Sequence, residues 1–178
     1  MNFIEELIAE WYEYKGYFVR RNVRVGKRVR GGHDGELDIV AFNPITKHLI
    51  HIEPSADTDS WEQRERRYRK KFDLGKTHIP KLFEGFKIPK VIEQHAVFMW
   101  GSKTQEKLGG GHVHLLIDYF KEIKRELSNK RTSQEIVPEN LPLIRTLHLY
   151  IDNMKKIDDP CITPLSKPGK RKTTSKLE

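Results

Sequence analysis

Several features that would point to particular protein classes are scarce or missing in this chain of 178 residues. Its single cysteine, Cys161, excludes an internal disulfide bond and a cysteine-based zinc site. No apolar run approaches the roughly 18 residues that a membrane-spanning helix requires, so no membrane partner is expected. Residues 1–15 lack the positively charged segment that opens a secretory signal peptide. These absences predict an intracellular, cytoplasmic protein.

Basic residues, in contrast, are abundant. Lysine and arginine total 33 against 25 acidic residues, which gives a formal net charge of +8 and a sequence pI near 9.5. This excess favours a polyanionic partner, with nucleic acid first and an anionic membrane surface second. We expect one domain over residues 1–157, followed by a basic, disordered tail over residues 158–178, where proline, serine, threonine and lysine dominate.

Hydrophobic periodicity predicts a helix, a three-stranded meander, a second helix, a fourth strand and two further helices. The predicted ranges are helix 2–15, strands 17–25, 36–42 and 48–53, a helix from 57–60 to about residue 72, strand 91–100, and helices 113–128 and 141–155. Gly-rich loops are predicted over residues 26–35 and 101–111. This order indicates an α/β or α+β domain with helices packed around a mixed sheet.

Two of the predicted strands each carry a carboxylate that a buried strand would not normally contain. Asp38 lies in the strand Glu36-Leu37-Asp38-Ile39-Val40-Ala41-Phe42, and Glu53 ends the strand that begins at His48. Strict alternation places Asp38 with Val40 on one face and Leu37 with Ile39 on the other. If residues 43–47 form a hairpin turn, both carboxylates lie near its open end. Carboxylate oxygens suit Mg²⁺, although ordinary surface charges on a half-exposed sheet fit the same pattern.

Three segments resemble the PD-(D/E)xK nuclease superfamily, which has the restriction-endonuclease-like fold. They are a glutamate-bearing first helix ending at Gly16-Tyr17, the run Gly35-Glu36-Leu37-Asp38-Ile39-Val40-Ala41, and Ile52-Glu53-Pro54-Ser55. The resemblance implies a central mixed β-sheet flanked by helices and a nuclease that uses Mg²⁺ or Mn²⁺. It also implies site roles: Asp38 and Glu53 as metal ligands, the Pro54 carbonyl beside the metal, and Glu6, with Glu10 as its rival, as the helix glutamate that completes the site.

The resemblance fails at Ser55, where the family has a catalytic lysine. Three explanations remain open. Another residue replaces the lysine, the metal ions suffice without it, or catalysis is lost and the domain only binds nucleic acid. Candidates for the replacement are His51, which shares the face of Glu53, and three residues of the helix that follows: Gln63, Arg64 and Arg67.

Basic side chains concentrate in two segments. The first strand and its loop contain Arg24, Lys27, Arg28 and Arg30, and the second predicted helix contains Arg64, Arg67 and Lys71. Such groups would contact phosphates without reading the base sequence. A charge run on a helix is also the usual composition of a solvated face, and Glu62 and Glu65 offer ion-pair partners there.

The sequence therefore favours a metal-dependent endodeoxyribonuclease of the restriction or repair type. The alternative is a non-catalytic nucleic-acid-binding protein that retains the nuclease fold, and a third hypothesis is an interaction subunit of a larger assembly. DNA is the expected partner, a homodimer fits an enzyme that cuts two strands, and no organic cofactor is expected.

Overall fold

The computed structural model describes residues 2–101 and 105–157, and this part of the chain contains four helices and six strands. The helices are α1 (Phe3–Tyr14), α2 (Trp61–Leu82), α3 (Leu116–Leu127) and α4 (Pro142–Ile157). The strands are β1 (Phe18–Lys27), β2 (His33–Asn43), β3 (His48–Ser55), β4 (Glu93–Phe98), β5 (Lys107–Leu108) and β6 (Gly111–Leu115). The predicted tail, residues 158–178, lies outside the described residues.

The strands form one sheet in the order β1-β2-β3-β4-β6-β5. Strands β1, β2 and β3 are an antiparallel meander, β4 lies parallel to β3 and to β6, and β5 pairs antiparallel with β6. The crossover from β3 to β4 passes through α2, as a parallel pair requires. The prediction of an α/β domain with a mixed sheet flanked by helices is confirmed.

The helices cover both faces of the sheet because each has one apolar side. On one face, α1, α3 and α4 pack against inward-pointing side chains of β2 and β3 such as Ile39, Ala41 and Ile52. On the other face, α2 packs its buried side chains against two smaller clusters that include Phe42 and Phe98. None of the helices in the described ranges is long and apolar enough to cross a membrane.

The alternation of side chains between the two faces of the sheet is interrupted within β2. Leu37 packs with Val23 in the cluster on the α2 side, whereas Ile39 packs on the α1 side, so the predicted strict alternation is wrong here. The interruption coincides with Asn22 of the neighbouring strand, which has a left-handed φ of 51°. The antiparallel register pairs Arg21 with Ile39 and Val23 with Leu37, so Asn22 and Asp38 lie between these two pairs. The irregular point of the sheet therefore lies at the candidate metal ligand.

Helix α2 begins as predicted and ends ten residues later than expected. Ser60 is its N-cap, with Gln63 completing a capping box, and both contacts satisfy backbone N–H groups that lack helical partners. The helix continues past residue 72 to Leu82 and includes Pro80 in its last turn. Proline removes only one helical hydrogen bond there, and the buried side chain of Ile79 keeps the last turns against the sheet.

The Gly-rich segment after β4 is a hairpin, where the sequence predicted a loop opening a helix. Gly109 and Gly110 form the turn between β5 and β6, and α3 begins at Leu116 instead of residue 113. Gly109 has a φ of +58°, and a Cβ atom there would lie 2.4 Å from the backbone nitrogen of Arg69. Strand β6 is added to the sheet by pairing with β4, a tertiary contact that local sequence does not encode.

Glu10, the alternative helix glutamate, has a structural role. Its side chain is 1% exposed, and Oε2 accepts backbone hydrogen bonds from Leu143 (2.8 Å) and Ile144 (3.0 Å) at the start of α4. Burial raises the pKa of Glu10, and these two N–H donors oppose the increase.

Replacing Glu10 by alanine should therefore destabilise the protein. Glu10→Ala leaves two backbone N–H groups without their acceptor, and we expect a loss of about 2 kcal/mol in the free energy of unfolding, measured by urea denaturation. Glu10→Gln keeps an acceptor oxygen of the same reach and should lose less. Equal stability of wild type and Glu10→Ala would contradict the capping role.

Candidate active site

Asp38 and Glu53 meet at a shared cation, Lys71 of α2. The Lys71 Nζ donates a hydrogen bond to Asp38 Oδ2 at 2.9 Å and a second one to Glu53 Oε2. Asp38 comes from β2 and Glu53 from the adjacent β3, so the hairpin brings the two carboxylates together across the sheet. Lys71 reaches them from the helix that covers this face.

The position of Lys71 follows from the packing of α2. Its buried side includes Arg64, Tyr68 and Phe72, spaced by four residues, and Lys71 adjoins this stripe. The Tyr68 hydroxyl donates to the Glu53 backbone carbonyl at 3.2 Å, which ties the helix to β3 one turn before Lys71. The lysine therefore lies at the edge of the apolar stripe, with its stem covered and its ammonium group at the carboxylates.

The ionisable side chains of the site lie close together, and burial disfavours their charged forms. Burial, a hydrogen bond with Glu53 and the negative charge of Glu53 raise the pKa of Asp38 to about 7, against the lowering effect of Lys71. Burial acts to lower the pKa of Lys71, but the two carboxylates outweigh it and the pKa is raised. The lysine is thus held as a cation, and Asp38 is the carboxyl group that resists losing its proton.

Glu53 is almost fully buried, and its two oxygens have different partners. Oε2 faces Lys71, whereas Oε1 lies 2.7 Å from His51 Nε2 and 3.3 Å from the backbone nitrogen of Asp38. His51 is 0% exposed, and burial lowers its pKa to about 3. The neutral imidazole is therefore a hydrogen-bonding partner of Glu53, and it does not provide the missing positive charge.

The donor set fits a divalent cation of the Mg²⁺ type. Lys71 acts as a stand-in ion, because its ammonium group contacts one oxygen of each carboxylate and thereby marks a point that both can reach. Mg²⁺ is commonly held by one or two carboxylates and completes its coordination with water. Within residues 2–101 and 105–157, no group of three or more histidine, cysteine, aspartate or glutamate side chains is arranged to hold a metal ion. Asp38 and Glu53 would therefore hold the ion as a pair, with water completing its coordination.

Pro54 follows Glu53 in a part of β3 that is paired with β4 and no longer with β2. The register with β2 ends at Ile52, so the missing N–H of Pro54 interrupts no bond on that side. On the other side β3 continues beside β4, with Pro54 opposite Val97 and Ser55 opposite Phe98. The predicted end of this strand at residue 53 is correct for the pairing with β2 and wrong for the pairing with β4.

Glu6 has neighbours other than the carboxylate pair. Its carboxylate lies 3.7 Å from the Arg21 Nε, and the same arginine donates to Glu13 at 2.6 Å. These contacts lie between α1 and β1, on the face of the sheet opposite α2. The structure therefore does not bring Glu6 to Asp38 and Glu53 as a third metal ligand, because α1 covers the other face.

A separate hydrogen-bond network contains Ser55, Arg64 and Arg67. Gln63, the remaining residue of α2 predicted to substitute for the lysine, caps the helix. Ser55 donates to Asp57, and Asp57 accepts hydrogen bonds from Arg64 Nε at 2.9 Å and from Arg67. Arg64 is 9% exposed and lies over the ring of Phe98. Gln63 belongs to the N-terminal cap of α2. The structure therefore does not bring any of these three residues to Asp38 and Glu53, and Arg64 is too buried to serve as a phosphate contact.

The sequence reasoning missed Lys71 as a member of the site and assigned it to nucleic-acid binding. Helical spacing contains a usable signal, because Lys71 lies four residues after Arg67 and directly precedes the buried Phe72. A lysine at the border of an apolar stripe, on the helix that follows the carboxylate strand, is the side chain best able to reach back to that strand.

The β1–β2 hairpin places further cations beyond the carboxylate pair. Arg24 and Arg28 form ion pairs with Glu36 and Asp34, at 3.5 Å and 2.8 Å, while Lys27 and Arg30 are exposed. Residues 28–32 form the tip between the two strands, so the predicted loop of 26–35 is shorter and half of its range is strand. Arg28 and Asp34 also line a cleft against Leu74 and Thr77 of α2, the helix that carries Lys71.

Comparison with known proteins adds no family assignment. No protein-family model matches the chain, and no curated protein matches it either.

Proposed function

We propose that this protein is a metal-dependent nuclease with a restriction-endonuclease-like core. Ser55 stands where the family has its catalytic lysine, and Lys71 takes the role of that lysine. The observation that carries the proposal is the junction of Asp38, Glu53 and Lys71. Two carboxylates and one ammonium group are the side chains that the PD-(D/E)xK pattern requires, although the lysine comes from α2 instead of β3.

Each residue has a definite role in this proposal. Asp38 and Glu53 bind Mg²⁺ or Mn²⁺, which when bound activates water and stabilises the negative charge that develops at the scissile phosphate. Metal binding requires Asp38 to be ionised, and the positive ion removes the repulsion from Glu53 that keeps its pKa high. Lys71 then orients the attacking water or stabilises charge on the phosphate from the side of α2.

DNA is the proposed substrate. The net charge of +8 favours a polyanion, and the exposed Lys27 and Arg30 extend from the sheet on the hairpin whose strand β2 carries Asp38. These side chains and Arg28 would contact phosphates along the backbone and would position the duplex without selecting a sequence. A strand of DNA held by the hairpin would pass the carboxylate pair near the middle of β2.

Plasmid cleavage in the presence of Mg²⁺ or Mn²⁺ tests this function. We expect Asp38→Asn and Glu53→Gln each to reduce the cleavage rate by about 10³-fold or more, because each variant removes one of two charged metal ligands. Glu36→Gln, on the exposed side of β2, is the matched control and should retain cleavage. If both site variants cut as fast as wild type, the site assignment is wrong.

A non-catalytic nucleic-acid-binding protein is the second candidate. The observation that favours it is the ion pair of Lys71 with both carboxylates, which offsets part of their negative charge. This candidate predicts salt-dependent DNA binding with no cleavage under any divalent ion. Fluorescence anisotropy with labelled duplex, run beside the plasmid assay, separates the two functions.

A further inference from the structure

His51 occupies a position on β3 where a side chain of the hydrophobic core is expected. It is 0% exposed, and its ring packs edge-on against Phe72 with ring centres 5.5 Å apart. A buried imidazole must find partners for both nitrogens, since an unpaired polar group in the core is costly. Nε2 faces Glu53 Oε1 at 2.7 Å, and Nδ1 faces Gln94 of β4 at 3.4 Å.

The orientation of Gln94 determines which nitrogen of His51 has the proton. The amide group of Gln94 lies 2.9 Å from the backbone carbonyl oxygen of Phe72. A carbonyl oxygen only accepts, so the amide atom that faces it is the nitrogen Nε2. The same nitrogen faces His51 Nδ1, which therefore accepts and has no proton. His51 is then protonated at Nε2 and donates to Glu53.

Helix α2 holds the ring in this orientation. Gly75 lies against the imidazole, and a Cβ atom at this position would come within 2.3 Å of His51 Nδ1. The ring is thus enclosed by Gly75 and Phe72 of α2 and by Gln94 of β4. Lys71, on the same helix, reaches Glu53 from the other side, so one helix sets both partners of the carboxylate.

The two carboxylate oxygens of Glu53 therefore have different roles. Oε1 accepts from His51 Nε2 and from the backbone nitrogen of Asp38, which occupy its hydrogen-bonding positions. Oε2 points to the ammonium group of Lys71, which also contacts Asp38. A carboxylate fixed in this way cannot rotate to place both oxygens on one ion.

We propose that His51, held by Gln94, is a positioning residue that fixes Glu53 so that it binds a divalent ion through Oε2 alone. The inference rests on the proposed function, because the ion is the cofactor of the proposed nuclease. Partners that orient a metal ligand in this way typically change metal affinity by about 10- to 100-fold when they are removed.

Two amide substitutions of different length test the role of the Nε2 donor. In His51→Gln the amide nitrogen reaches the position of the imidazole Nε2, whereas in His51→Asn it reaches only the position of Nδ1. We expect His51→Asn to weaken Mn²⁺ binding by about 10-fold, and His51→Gln to restore it to within about threefold of wild type. Titration calorimetry measures both affinities, and thermal unfolding confirms that both variants are folded. Equal affinities for the two variants would overturn the proposal.

The proton position of wild-type His51 provides a second readout, which does not depend on metal affinity. Long-range ¹H–¹⁵N correlation spectra distinguish a protonated from an unprotonated ring nitrogen, and the His51→Gln spectrum assigns the signal by its loss. We expect the proton on Nε2 and an unprotonated Nδ1. A proton found on Nδ1 would overturn the proposal, because Nε2 would then be unable to donate to Glu53.

The two readouts separate this inference from the proposed nuclease activity. If the affinities follow the expected order and the proton is on Nε2, but no plasmid is cut, the positioning role stands and the nuclease proposal fails. If plasmid is cut and Mn²⁺ affinity is the same in wild type and His51→Asn, the nuclease proposal stands and the positioning role fails.

Discussion

Replacing Lys71 with methionine is expected to reduce Mg²⁺-dependent DNA cleavage by at least about 10²-fold. The substitution keeps an apolar stem of similar shape at the edge of α2 and removes the ammonium group that contacts Asp38 and Glu53. Single-turnover cleavage of a labelled duplex measures the chemical step, and anisotropy measures duplex binding separately.

The same variant should bind the metal more tightly while it cuts more slowly. Lys71 competes with a divalent ion for the two carboxylates, so its removal leaves a more negative site, and we expect Mn²⁺ affinity to rise severalfold in calorimetry. A residue that only contacted DNA would not change metal affinity in the absence of DNA.

A lysine on the other side of the sheet provides the matched control for Lys71→Met. Lys121→Met removes one positive charge from the exposed surface of α3 and should leave both cleavage and metal affinity unchanged. If Lys121→Met loses as much cleavage as Lys71→Met, the loss reflects net charge and the role of Lys71 is disproved.

The second large effect is the pH dependence of stability at Asp38. The pKa of this carboxyl is about 7 in the folded protein, above its ordinary value of 3.8. The folded state therefore holds the proton more tightly than the unfolded state. The stabilisation is fully present below about pH 4 and is lost as pH rises through 7.

Asp38→Asn mimics the protonated carboxyl at every pH. Relative to wild type, the variant should gain up to about 4 kcal/mol in the free energy of unfolding between pH 4 and pH 8, since one pK unit corresponds to about 1.4 kcal/mol. Urea denaturation of both proteins without divalent ions measures this difference. A stability difference that does not change with pH would contradict the raised pKa.

Other groups also titrate in this range, and the comparison of the two proteins removes them. Burial lowers the pKa of His51 to about 3 and that of His95 to about 4, so their stabilising contribution is lost as pH falls below their ordinary value of 6.5. Both histidines are present in wild type and in Asp38→Asn, and their effects largely cancel. Adding Mg²⁺ at pH 8 should stabilise wild type more than the variant, because only wild type keeps both carboxylates.

Local pattern was sufficient for most of the fold. The apolar stripe of α1, the turn at 43–47 and the two apolar strands around it are encoded within short segments, so their types and approximate bounds were predictable. Strand β6 was mistaken for the start of a helix, because its five residues have too little periodicity and form a strand by pairing with β4. The end of α2 was placed too early, at about residue 72, whereas the helix continues to Leu82.

The residues of the candidate site also differ in how well the sequence alone could identify them. Asp38 and Glu53 could be selected from sequence because each is a carboxylate in an apolar strand beside a turn, and a hairpin must bring such strands together. Lys71 was missed because it lies 18 residues after Glu53. Its place beside the apolar stripe indicates that it could reach back, but only the packing of α2 on the sheet decides that it does. The same packing holds Arg64 and Arg67 on Asp57, away from the carboxylates.

By itself, the sequence determined the basic charge, the strands and helices with strong periodicity, and the two carboxylates of the hairpin. Only the tertiary structure decided which cation joins those carboxylates, which face of the sheet Glu6 and Glu10 occupy, and that His51 is buried beside Gln94. The physical reason is that periodicity and turn chemistry act over a few residues. The partner of a buried charge, in contrast, depends on how elements distant in the chain pack against one another.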